Sequence, residues 1–470
     1  MTQLRVLPPR TASRRDFLAG CAGCAALAAC PGFAHAPQAP ASEKARVRLV
    51  FTHPGRKIEG WPYLGYDYET RKKELTSRLT TACPNVELLP VTAPAAEDAR
   101  KVLEGDGEVD GYVVYILGIP SGGARPILAS GRPVVLVDDL YGGTGQFLGA
   151  YAEARRKNLR VAGVSSTRFE DVAQAVKSFE VIKRLRSSVI LDVLDREPGG
   201  EAKAIQEVFG TAVRKVTSQE LNDAYRKVDQ AEAQRSAQSW IKGAKKIIEP
   251  SREEIGRSGV MYVAMRDLMK QHNAQAIAMD CLRLFYDGKL PAYPCLGFFQ
   301  LNNDGLVGAC EADLQSTISM LLMTYLAGRP GFISDPVIDT ARNQVIYAHC
   351  VAPTKVYGPN GPGSPYHIRN HSEDRKGAAV RALLPLGEMT TTLKFAPSRK
   401  EVILHQGRTV ANIDEDKACR TKLAVEVRDI HKLFDEWDRW GWHRVTYYGD
   451  LRQPVEAISA LLGFKLVAEG

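Results

Sequence analysis

Residues 45–55 read Ala-Arg-Val-Arg-Leu-Val-Phe-Thr-His-Pro-Gly. Val47–Thr52 is a β-rich run, and His53-Pro54-Gly55 turns the chain out of it. Tyr68–Thr81 follows with helical spacing and charge. The alternation then repeats. Val86–Val91, Gly111–Leu117, Pro133–Val137 and Leu159–Val164 are short apolar runs. Amphipathic stretches such as Ala96–Leu103 and Phe147–Lys157 separate them. Strand–helix alternation predicts a parallel sheet covered on both faces, with loops at the strands' carboxyl ends placed to carry ligand groups. Those ends hold His53–Gly55, Gly118–Gly123 and Asp138–Gly143. The chain has no GxGxxG between a strand and a helix and no P-loop, so no nucleotide cofactor is expected.

A second α/β unit is expected from about Ser187. Val189–Val193 and Ala276–Met279 read as strands. Glu201–Phe209, Gln219–Val228, Ala231–Ile248, Glu253–Gln271 and Ser316–Leu326 read as helices. After residue 341 the texture changes. Gln344–Ala348, Val380–Pro385, Thr390–Phe395, Glu401–His405 and Leu423–Val427 are short and β-rich, as in a barrel or sandwich. Asp429–Trp440 then reads as a helix, Arg444–Tyr448 as a strand and Pro454–Leu462 as a last helix. The expected fold is two parallel-sheet α/β domains, 42–186 and 187–340, followed by a C-terminal β-barrel-like domain, 341–470.

Residues 1–41 read as an export address. Ser13-Arg14-Arg15-Asp16-Phe17-Leu18 precedes a short Ala-, Gly- and Cys-rich stretch, and this resembles a twin-arginine signal. Ala39-Pro40-Ala41 offers a small-residue cleavage site, while Leu27-Ala28-Ala29-Cys30 resembles a lipobox with Pro31 directly after it. The expectation is export by the twin-arginine translocase to the periplasm or beyond, with lipidation at Cys30 as the alternative.

Composition narrows the function classes. Of 470 residues, 44% are hydrophobic and 25% charged, which excludes a largely disordered chain. The net charge is +8, of which the first 41 residues contribute +3 through Arg5, Arg10, Arg14 and Arg15 against Asp16. The rest is spread thinly, without the clustered basic face of a nucleic-acid binder. Six cysteines follow the address: Cys83, Cys281, Cys295, Cys310, Cys350 and Cys419. None forms a CxxC pair, so neither a zinc knuckle nor a disulfide scaffold is indicated.

Polar residues of chemical interest gather between 280 and 450, at the ends of apolar runs. They include Glu311 in Cys310–Leu314, Asp335 before Pro336, His349 before Cys350, and His443 in Trp442-His443-Arg444. Carboxylates with imidazoles suit a divalent ion such as Mn²⁺, Fe²⁺, Co²⁺ or Mg²⁺. Each also has a structural reading. Glu311 could serve a helix dipole, Asp335 a turn, and the two histidines an ordinary core.

The segments Ala278–Cys281, Pro294–Leu296, Leu301–Gly305, Cys310–Leu314, Gly328–Pro330, Asp335-Pro336 and Ala348–Cys350 together resemble the catalytic region of the L-fucose isomerase / L-arabinose isomerase superfamily. His371-Ser372-Glu373 and Gly441–Val445 fit the same pattern. The resemblance implies a metal-dependent aldose–ketose isomerase working on a monosaccharide through an enediol. It implies a Mn²⁺-type ion held by Glu311, Asp335 and His443, with His349 as an additional ligand and Glu311 and Asp335 as catalytic carboxylates. It suggests His371, Glu373 and Asn303 as sugar-binding residues. It also implies a homo-oligomer in which the N-terminal domain closes a neighbour's site. The alternative is an exported carbohydrate-binding protein with this fold and no turnover.

Overall fold

The structure is a computed structural model and describes residues 43–55 and 59–470. Residues 1–41, which read as an export address, lie outside the described residues. The first sheet holds β1 (Ala45–Thr52), β2 (Val86–Thr92), β3 (Gly111–Ile116), β4 (Val134–Asp138) and β5 (Val161–Val164), all parallel, in the order β2-β1-β3-β4-β5. β3 and β4 are buried along their whole length, as strands sandwiched between helices must be. Helix Phe169–Arg186 closes this unit and leads into the next.

The second sheet is also parallel, with β6 (Val189–Val193), β7 (Ala212–Val216), a two-residue β8 (Lys246–Ile247) lying elsewhere, β9 (Ala276–Met279) and β10 (Val307–Ala309). Its order is β10-β9-β6-β7. Its helices start on strong caps. Thr217 with Glu220 and Ser251 with Glu254 form reciprocal capping boxes for 218–227 and 252–271. Helix Leu314–Ala327 is buried almost all round and ends on Gly328 in the left-handed conformation.

The third unit begins with β11 (Phe332–Asp339) and β12 (Gln344–His349). A short ribbon, β13 (Tyr366–Arg369) and β14 (Ala379–Ala382), intervenes before β15 (Met389–Ala396), β16 (Glu401–Asn412), β17 (Thr421–Val427), β18 (Arg444–Tyr448) and β19 (Lys465–Ala468). The order β15-β18-β11-β12-β17-β16 is antiparallel throughout, and β16 pairs back onto β15. The C-terminal unit is therefore a closed six-stranded antiparallel barrel, with β19 added in parallel to β16. Helix 314–327 joins barrel to sheet, since Ser319 Oγ accepts from the Phe395 amide and the Ser319 carbonyl from the Tyr447 hydroxyl.

Three local expectations need correction. The barrel takes its first strand from Phe332–Asp339, ahead of residue 341. Pro336 does not break that strand, because β18 pairs only with 332–334 and the missing N–H falls beyond it. The helix expected over 231–248 stops at Gly243, after which the Lys245 amide donates to the Tyr366 carbonyl and β8 pairs with β13. Leu301–Asn303 is the last turn of helix Cys295–Asn303, and the turn proper falls at Gly305, where φ is +81°. Among the described residues no helix is long and apolar enough to cross a membrane.

Candidate metal centre

Strand register assembles the barrel side of the site. Ser334 pairs with Arg444, so His443, just ahead of β18, arrives beside Asp335. Asp335 pairs with Ala348, so His349, the last residue of β12, lies next to both. Glu311 comes from the other side, on the turn between β10 and helix 314–327. Glu311 and Ala312 take φ values of +60° and +49°, a conformation that costs a side-chain-bearing residue roughly 1–2 kcal/mol. The Ala312 amide donates to the Met279 carbonyl at 2.8 Å, and Asp313 caps the helix by accepting from the Ser316 amide at 3.0 Å. Two anchored flanks thus hold the strained turn that aims Glu311 at the barrel.

Glu311, Asp335, His349 and His443 each offer a ligand atom within 4.8 Å of the others. His443 Nε2 lies 3.2 Å from Asp335 Oδ1 and 3.4 Å from Glu311 Oε2, yet aligns as a hydrogen-bond donor to neither. His349 Nε2 is likewise buried with no hydrogen-bond partner. Buried imidazole nitrogens of this kind are costly unless something else binds them. Two carboxylates and two imidazoles around them are the donor set of a divalent transition ion, so these residues fit a bound metal.

The electrostatics agree. Burial alone would push the Glu311 and Asp335 carboxyls up, but His443 and His349 outweigh it and hold both below the usual range. Burial pulls His349 down, toward the neutral form that ligates. Burial also works against protonation of His443, but Asp313, Asp335 and Glu311 together raise it well above the ordinary value. The cluster thus draws positive charge to the point where the four side chains meet.

The three residues suggested for sugar binding are placed differently. His371 is buried, with Nδ1 3.2 Å from Asp374 Oδ1 and its ring 5.3 Å from that of Tyr293. Glu373 is exposed and accepts from the Tyr286 hydroxyl, itself on an exposed ring. Both belong to the loop after β13 and act electrostatically on His349. Asn303 is buried, and its Oδ1 accepts from the amides of Thr354 and Lys355, each at 2.9 Å. That oxygen is committed to holding the 354–355 loop.

Sequence reasoning left out several neighbours. Asp313 was legible only as a helix cap. Lys394, in the middle of β15, is an isolated lysine in a buried strand, and a lone charge in such a run is the sequence signal for it. Cys419 Sγ lies 3.6 Å from His349 Nδ1 and 3.9 Å from Asp335 Oδ2, and Cys281 and Cys310 place their sulfurs 3.2 Å apart beside Glu311. Trp442, next to His443 in the chain, is exposed and helps to hold the Asp335 carboxyl below its usual range.

No family model matches the chain. It is similar to proteins named sulfoquinovose isomerase. That of Alkalicoccus urumqiensis is 21% identical over 310 residues, covering 63% of this chain and 68% of that protein. That of Clostridium sp. (strain MSTE9) is 25% identical over 270 residues, covering 54% and 57%. That of Priestia megaterium (strain ATCC 12872 / QMB1551) is 25% identical over 314 residues, covering 63% and 68%. By their names these relatives are sugar isomerases, and the chain is a distant relative of them.

Proposed function

We propose that this protein is an aldose–ketose isomerase that acts on a monosaccharide with the help of a divalent metal, Mn²⁺ by preference, and that it belongs to the L-fucose / L-arabinose isomerase superfamily. The observation that carries the reading is the convergence of Glu311, Asp335, His349 and His443, from four separate stretches of chain, around two buried imidazole nitrogens without hydrogen bonds. These four residues would hold the ion. When bound, the ion would polarise adjacent carbonyl and hydroxyl oxygens of an open-chain sugar as a Lewis acid.

The chain's own part is proton handling. Glu311 lies on the opposite wall from the barrel and stays ionised, so it can take a proton from one sugar carbon and return it to the neighbour, passing through the enediol. Asp335, ionised and beside His443, can handle the hydroxyl proton. His371 and Glu373, on one loop and electrostatically coupled to His349, would meet the sugar's distal hydroxyls. The names of the relatives make sulfoquinovose the first sugar to test, beside neutral aldoses.

Purified protein treated with a chelator should lose ketose-forming activity, and Mn²⁺ should restore it. Metal analysis should find about one ion per chain, as one four-residue site requires. A protein that turns over equally well after metal removal, or that binds sugar and converts none of a broad aldose panel, would overturn the proposal.

The exposed Trp61, Tyr63, Leu64 and Tyr141 gather where the first sheet's loops end. A patch of this kind supports association of copies through the N-terminal unit. With the twin-arginine pattern, we propose an exported homo-oligomer. Native mass spectrometry of protein taken from the periplasm should give a multiple of a subunit lacking the first ~41 residues, the span that reads as a signal. An unprocessed monomer would contradict both parts.

A further inference from the structure

We propose that Asp313 is a positioning residue of the metal centre, holding the proton of His443 on Nδ1 so that the Nε2 lone pair faces Glu311 and Asp335. The inference rests on the metal-centre reading above and assigns a residue that reading does not use.

Asp313 Oδ2 lies 3.1 Å from His443 Nδ1. The same oxygen accepts from Lys394 Nζ at 2.8 Å and from Ser316 Oγ at 2.7 Å, while Oδ1 accepts from the Ser316 amide at 3.0 Å. The carboxylate is thus fixed from three directions before the imidazole reaches it. Lys394 and His443 are both buried, at 3% and 4% exposure, so this is an interior network shielded from competing water. An ionised carboxylate only accepts, so the facing Nδ1 must carry a hydrogen. An imidazole must be neutral to ligate, so metal binding releases the Nε2 proton and leaves the lone pair on the nitrogen that sits among the acids without a hydrogen-bond partner.

Lys394 has a specific place in this arrangement. It comes from β15, on the barrel wall, whereas Asp313 comes from the cap of helix 314–327. Its charge neutralises Asp313 locally, so the carboxylate orients the ring without needing to take its proton. Ligating histidines that lose such a partner characteristically lose about 10–100-fold in metal affinity.

The test is titration calorimetry of Mn²⁺ into metal-stripped wild type and Asp313→Ser. Serine retains the helix cap but is too short to reach His443. Mn²⁺ affinity should fall about 10–100-fold in Asp313→Ser with an unchanged circular dichroism spectrum. Independently, ¹⁵N-histidine spectra of zinc-loaded wild type, with His443 assigned through His443→Gln, should show a protonated Nδ1 and a metal-bearing Nε2. Wild type that binds while Asp313→Ser binds equally well overturns the inference and leaves the metal reading standing. So does an unprotonated Nδ1, which decides the matter even if Asp313→Ser does not fold. Wild type that binds no metal overturns the metal reading and the inference with it.

Discussion

Glu311→Gln is expected to reduce isomerase turnover by about 10³-fold or more and to strip the protein of most of its metal, while the fold survives. Glutamine occupies nearly the same volume but carries no charge and accepts no proton. It removes the proposed base and one of the two anionic ligands in a single step. The fold should tolerate the change because Glu311 is not a structural acid in the ordinary sense. It sits on a turn anchored by Ala312 and Asp313, whose bonds to Met279 and Ser316 are untouched. In the metal-free protein His443 and His349 outweigh the repulsion from Asp335 and favour the ionised Glu311, so removing its charge forfeits a local attraction. The metal-free variant should therefore melt somewhat below metal-free wild type while keeping its circular dichroism spectrum. Turnover, metal content and a thermal melt on the same preparation test this. A variant with full activity and full metal content would end the isomerase-type mechanism for this protein.

How the site could be read from sequence depends on which physical signal reached each residue. The two α/β units were legible because parallel strands buried on both faces read as short apolar runs, as in Gly111–Ile116. The barrel was legible as a change of texture, but its first strand was not, since Pro336 masked the run that contains Asp335. Acids and histidines at the ends of apolar runs pointed to Glu311, Asp335, His349 and His443. Their convergence depends on register, which the sequence does not display. Shifting β11 by one residue against β12 would send the Asp335 side chain to the other face of the barrel wall. Asp313 and Lys394 were harder still. They are 81 positions apart and meet only because the barrel closes beside helix 314–327. Asn303 has a structural use that the sequence does not display. A polar residue in a motif can be spent on the chain itself, here on the amides of Thr354 and Lys355.

The same closure creates a strong pH dependence of stability at Glu469. This residue is 2% exposed, and its carboxylate receives Arg444 Nη2 at 2.8 Å and Arg444 Nε at 3.2 Å, with His405 Nδ1 at 3.2 Å. Arg444 is fully buried and also donates to the carbonyls of Trp437, Gly441 and His443. The network thus ties the last residues of the chain to the loop that delivers His443. Burial would raise the Glu469 carboxyl, but His405 and Arg444 prevail and lower it from 4.5 to about 2. The folded value is depressed, so the stabilisation is fully present above the unfolded value and is lost as pH falls from about 5 toward 2. A shift of this size corresponds to ~3 kcal/mol of pH-dependent stability. Glu469→Ala leaves a buried guanidinium unpaired and should cost about 3–5 kcal/mol at neutral pH. The variant should also lose most of the acid-dependent fall in stability that wild type shows between pH 5 and 2. Urea unfolding of both proteins at pH 7 and at steps between pH 5 and pH 2 reads the two effects together. A variant as stable as wild type at pH 7, or one with an undiminished acid slope, would show that Glu469 does not hold Arg444 and the His443 loop in the way its distances indicate.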